Sequence, residues 1–205
     1  MNSSRTNLTC RTHNWREVIG IPVAVMKMDE AVDLLEKRLA QRQYMPVAFL
    51  NANNANIAQE RPDLKRAFDH FLVLADGTGV DLASLVLHGA MFPENLNGTD
   101  LVPSLLKRCK SGLKVALLGA RRDVADSARD AFSSMCPQHK FTVVADGFFK
   151  ESDEPAILAT LEELRPDILL VAMGVPRQEL WITHTIDERH CTVPIAVGAL
   201  FDIFT

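Results

Sequence analysis

The chain has 205 residues, 47% of them apolar and 23% charged, with 22 Lys plus Arg against 26 Asp plus Glu and a formal net charge of -4. That length favours a single domain, which buries roughly 70% of its extended-chain surface without needing a disulfide or metal staple. The mix excludes a disordered chain, a collagen-like chain and a small disulfide scaffold, and the acidic balance argues against a general nucleic-acid binder.

Residues 1–18 read as a loose leader and 19–205 as the domain. The leader is polar and lacks the apolar segment of a secretory signal, and no apolar run reaches the ~18 residues that span a membrane, so cytoplasmic residence is expected. Cys10, Cys109, Cys136 and Cys191 are scattered with no CxxC pair, which reads as idle thiols rather than a zinc site or a disulfide framework. Ile19 to Val25 is a short apolar stretch broken by Pro22, and 29–43 is an amphipathic helix carrying Ala31, Leu34, Leu35 and Leu39 on one face. Strands are then expected at 46–50, 71–75, 114–118, 141–145, 168–172 and 195–197. Helices are expected at 54–60, 62–69, 79–87, a segment capped by Thr99 or Asp100 and running to Lys110, 123–135, a helix entered through Pro155 and ending at Leu164, and 177–188.

Several of these strands are continuous apolar runs (PVAFL, FLVLA, ILLVA) with helices between them. Strands buried on both faces read this way and need crossover helices. The fold class is therefore α/β: a Rossmann-like, mainly parallel sheet with helices on both faces, in one domain. Ligands of such sheets bind beyond the carboxyl ends of the strands. The residues there are Asn51-Ala52-Asn53-Asn54, Asp76-Gly77-Thr78-Gly79, Gly119-Ala120-Arg121, Asp146-Gly147-Phe148-Phe149, Met173 to Glu179, and Gly198 to Asp202. Five of these six turns carry glycine, which permits close backbone approach to a ligand. Ordinary strand-to-helix turns also favour Gly, Asn and Asp. The turn at Gly119 is not GxGxxG, which disfavours an NAD enzyme, but its amides and an arginine suit a mononucleotide diphosphate.

The blocks ADGTGVDLAS (75–84), NGTDLVPSLL (97–106), KVALLGARRDVADSA (114–128), DGFF (146–149), PDILLVAMGVPRQELWI (166–182) and AVGALFDIF (196–204) together resemble the WecG/TagA/CpsF glycosyltransferase family. The resemblance implies an inverting, metal-independent transfer from a UDP-sugar donor, of the N-acetylmannosamine or glucose type, to a polyprenyl-diphosphate-linked sugar in bacterial cell-surface polysaccharide synthesis. It implies no cofactor and no nucleic-acid partner, contact with the inner face of the cytoplasmic membrane, and allows self-association.

Residue by residue, the resemblance makes Asp76 the catalytic base; the local alternative is a cap for the helix starting near Thr78. Asn51 and Asn53 match a polar pair lining the donor and acceptor pocket, Asn51 standing where several relatives have threonine; the alternative is an Asn-rich turn. Gln178 of the GxPxQE block is implied to hold the donor, with Glu179 either a ligand contact or a helix-dipole residue. Gly119, Asp146, Gly147 and Gly174 are expected to line the nucleotide end, and Phe148 and Phe149 to be core. Asp100 is either substrate-facing or an N-cap. His88 and His184 are isolated, and no His, Asp and Glu spacing suggests a metal. Two departures stand out. Asn95 occupies a place where many relatives have arginine, and the sequence stops at Thr205 where relatives run on into an arginine-rich tail implied in membrane docking and in completing the site, so membrane contact is expected to be weak. The competing reading is a catalytically weak or inactive nucleotide-binding module.

Overall fold

The computed structural model describes residues 14–204. The chain opens with an antiparallel hairpin of β1 (Trp15–Val18) and β2 (Ile21–Ala24), in which Val18 faces Ile21 across a turn with positive φ at Ile19 and Gly20. Positive φ at both central residues is the mark of a type I′ hairpin turn. The last four residues of the expected leader thus form a strand. Arg16 fastens it, donating to Ser84 Oγ and to the carbonyls of Ala90 and Met91.

Next come α1 (Met28–Ala40), β3 (Val47–Leu50), α2 (Ala52–Glu60), α3 (Pro62–Phe68), β4 (Leu72–Ala75), α4 (Thr78–His88) and α5 (Gly98–Arg108). The second half is β5 (Lys114–Gly119), α6 (Arg122–Met135), β6 (Lys140–Ala145), a short 3₁₀ turn, α7 (Glu154–Leu164), β7 (Ile168–Ala172), α8 (Arg177–Thr185), β8 (Val193–Ala196) and α9 (Leu200–Ile203). Six strands form one parallel sheet in the order β4-β3-β8-β7-β5-β6.

The apolar runs are buried from both sides, as their sequence suggests. In β7, Ile168 and Leu170 join the core beneath α1, α5, α6 and α9, while Leu169 and Val171 join the core beneath α2, α3, α7 and α8. Burial of successive residues on opposite faces is why these strands show no polar alternation. Cys109, Cys136 and Cys191 are buried free thiols, and Cys10 lies outside the described residues. The helix α4 differs from the rest: it lies against the hairpin and leaves Leu82, Leu85, Val86 and Leu87 exposed. No described helix is long and apolar enough to cross a membrane.

The strand order creates the site. The helix after β3 goes to one face of the sheet and the helix after its neighbour β8 goes to the other. The same divergence occurs between β5, followed by α6, and β7, followed by α8. Outgoing chains that part in this way leave a crevice at the strand tips.

Candidate active site

The crevice between β3 and β8 is a cleft of about 450 Å³, within the range of small-molecule sites. One side carries Phe49, Asn51, Asn54 and Asp76, a second carries Asn97 to Asp100, and a third carries Val175, Gln178, Gly198 to Leu200 and Ile203.

Asp76 is the first residue beyond β4. Its N–H donates to the carbonyl of Leu50, which holds it beside β3. Its Oδ2 accepts from Asn51 Nδ2 at 3.3 Å, and its other carboxylate oxygen has no protein donor among the described residues. The side chain is half-buried, and burial pushes its pKa above the ordinary carboxylate value while the Asn51 donor pulls it down. A carboxylate so placed is a stronger base than one in water.

The capping alternative for Asp76 is not what forms. The N-cap of α4 is Gly77, at φ +89, and no side chain caps that helix. The Gly77 N–H instead donates to Asn95 Oδ1 at 2.8 Å. Asn95 therefore pins the turn that carries Asp76.

Asn51 does two things at once. Its Oδ1 accepts from the N–H of Asn54 at 3.0 Å and caps α2. That fixes the amide so that Nδ2 points to Asp76. Asn53 sits on the exposed side of α2 and does not line the cleft, whereas the buried Asn54 does, with its Nδ2 on the carbonyl of Phe49. Asp100 lines the cleft from the first turn of α5. The cap there is Asn97, not Thr99 or Asp100: Asn97 Oδ1 accepts from the Asp100 N–H at 2.9 Å and Asn97 Nδ2 donates to Asp100 Oδ2 at 2.8 Å. The α5 start comes close to β3 because residue 98 is glycine; a Cβ there would stand 3.0 Å from the Phe49 ring.

Gln178 lines the cleft although it is almost fully buried. Its Oε1 accepts from the N–H groups of both Gly174 and Gly198, each at 3.1 Å, and its Nε2 donates to Glu179 Oε1 at 2.9 Å. The Gly174 N–H is thus committed to Gln178. Glu179 is 1% exposed and does not line the cleft. Burial pushes its pKa up to about 7, against the lowering effect of the Gln178 donor.

The remaining expected nucleotide residues lie at other strand tips. Gly119, at φ +123, allows the turn after β5 to cross β7, because a Cβ there would fall 2.2 Å from the Ala172 carbonyl oxygen. The Gly147 N–H donates to the Ala120 carbonyl at 2.7 Å. Asp146 lines a separate hollow of about 480 Å³ beside Arg122 and Phe149, and its Oδ1 accepts from the Phe148 N–H. Arg177 holds this loop by donating to the carbonyls of Gly147 and Phe149, with its guanidinium 4.9 Å above the Phe149 ring. Phe148, expected in the core, is exposed because its loop projects past the end of β6; Phe149 packs edge-on against Trp181.

His88 is exposed and bonds the carbonyl of Glu17. Among the described residues, no group of three or more His, Cys, Asp or Glu side chains is placed to hold a metal.

A doubly wound parallel sheet with a polar, acid-bearing cleft at its strand tips is the arrangement in which α/β proteins commonly bind polar small ligands. Residues 16–205 match the family described as Glycosyl transferase WecG/TagA/CpsF, and the chain belongs to that family. It is 32% identical over 133 residues to proteins named N-acetylglucosaminyldiphosphoundecaprenol N-acetyl-beta-D-mannosaminyltransferase from Staphylococcus aureus strains NCTC 8325 / PS 47 and COL. The match covers 64% of this chain and 51% of each relative, so the chain spans about half the length of the curated relatives it matches.

Proposed function

We propose that this protein is an inverting, metal-independent glycosyltransferase of bacterial cell-envelope polymer synthesis. It moves an N-acetylmannosamine-type sugar from UDP to a polyprenyl-diphosphate-linked N-acetylglucosamine at the cytoplasmic membrane face. Family membership and the printed names of the relatives support the substrate class.

One observation carries the mechanism: Asp76 faces the cleft, half-buried, with a carboxylate oxygen that no donor among the described residues occupies. In the proposed step the acceptor hydroxyl oxygen attacks the anomeric carbon as the bond to the diphosphate breaks. The electron pair leaves with UDP, the hydroxyl proton passes to Asp76, and the anomeric configuration inverts. Asn51 keeps Asp76 oriented, and Asp100 and the turn at Gly198 flank the space where the sugars meet. The turns after β5, β6 and β7 are assigned to the nucleotide end; the Ala120, Gly147 and Gly174 N–H groups there are committed to protein acceptors, so it is the N-terminal ends of the helices that follow that suit a diphosphate.

The decisive experiment supplies UDP-N-acetylmannosamine and a short-chain polyprenyl-diphosphate N-acetylglucosamine, and follows UDP release together with the lipid product. A disaccharide of inverted configuration, formed equally well with EDTA present, is expected. UDP binding in calorimetry with no transfer from any UDP-sugar would overturn the proposal in favour of a nucleotide-binding module.

A further inference from the structure

Glu179 presents a physical puzzle. It is a buried carboxyl that does not line the cleft; among the described residues its Oε2 has no hydrogen-bond partner, and its Oε1 accepts from the Gln178 amide. Burying such a group is costly, and an apolar side chain of the same size would pack there more cheaply. What the carboxyl supplies is an acceptor. An amide side chain has two unlike ends, and Gln178 is useful in only one orientation. Its Oε1 must face the N–H groups of Gly174 and Gly198, since the flipped form would set an NH₂ against two donors. The unflipped form needs an acceptor for Nε2, and Glu179 is that acceptor.

Gly174 and Gly198 begin the turns after β7 and β8, and both adopt positive φ. The wall of the cleft from Val175 to Leu200 hangs on these turns. We propose that Glu179 is a positioning residue: its carboxyl locks the Gln178 amide in the orientation that clips the two turns together and so sets that wall. The kinetic half of this inference rests on the proposed transferase reaction; the geometric half does not.

The test replaces Glu179 with an apolar side chain of similar length, Glu179→Met, and with the acceptor-retaining Glu179→Gln. Amide hydrogen exchange at Gly174 and Gly198 is measured first. E179M is expected to exchange both amides at least about tenfold faster while global stability is equal or higher, and E179Q to stay near wild type. In the transfer assay E179M is expected to lose roughly tenfold in kcat/KM, mostly through KM, with E179Q restoring most of it. The double variant Gln178→Met with E179M is expected to be no worse than Gln178→Met alone, because the two residues act as one unit. Should E179M fail to fold, Gln178→Met alone is expected to give the same faster exchange. Wild-type exchange at both glycines in whichever variant folds, or additive kinetic losses, would overturn the proposal. Faster exchange in a protein that shows no transferase activity even as wild type would uphold the clip and refute the reaction instead.

Discussion

Asp76 and Glu179 invite comparison. Both are acids that follow buried parallel strands, Asp76 in the turn after β4 and Glu179 in the first turn of α8, and burial raises the pKa of both. Yet Asp76 opens onto the cleft and Glu179 lies beneath it. The difference lies in their offset from the strand. Asp76 follows β4 directly, where the chain emerges at the sheet rim. Glu179 comes after a four-residue loop and a helix start, by which point the chain has folded back over the sheet. Acids that follow buried strands therefore differ in what they are placed to do: Asp76 is open to a ligand in the cleft, and Glu179 reaches only its protein neighbours.

The sharpest way to break this contrast is to neutralise each acid with its amide. Asp76→Asn keeps shape and most polarity but removes the base, and turnover is expected to fall about 10²–10⁴-fold with an unchanged thermal midpoint. Near-normal turnover in a folded D76N protein would remove Asp76 from the chemistry and erase the distinction.

The division between legible and illegible features follows distance along the chain. The strand ILLVA is found where its unbroken apolar run puts it, because burial on both faces leaves its mark within a few residues. Asp76 was legible for the same reason: an acid directly after such a run can only stand at the rim. The hairpin strand Trp15–Val18 was not, because WREV sets two adjacent charges between its apolar ends within what reads as a polar leader, and so shows no strand alternation. The cap of α5 was misplaced by two or three residues, since Thr99 and Asp100 are both good caps in isolation and only the backbone shows Asn97 in that role. The link from Gln178 to Gly198 was out of reach. It depends on β7 lying next to β8, a pairing no local pattern encodes. Nor did glycine content separate ligand turns from packing turns: Gly119 is required by the Ala172 carbonyl that crosses it, whatever else binds there.

Glu179 also leaves a signature in stability. Its pKa rises from an ordinary 4.5 to about 7 in the folded protein. Between those values the folded chain holds a proton that the unfolded chain has released. The contribution is fully present below pH ~4.5, declines as pH rises through about 7 and is flat above, spanning about 3 kcal/mol at most. Denaturant melts of wild type and Glu179→Gln at pH 5 and pH 8 test this. The wild type is expected to lose more stability on going to pH 8 than the variant does. Parallel pH dependence in the two proteins would place the carboxyl in contact with water and weaken the contrast with Asp76.

The smallest effect separates the two tasks of Asn51. Serine also caps helices well, so Asn51→Ser is expected to leave stability within about 0.5 kcal/mol of wild type. It removes, however, the amide donor that lowers the pKa of Asp76. A base must be ionised to accept a proton, so the acid limb of the kcat/KM profile reports that pKa. With the donor gone the limb is expected to move to higher pH, and activity measured on that limb to fall about two- to fivefold for a bond as long as 3.3 Å. An unmoved limb with reduced activity would mean that Asn51 acts on the substrate directly, and a lost helix cap would show as a stability change with both kinetic limbs in place.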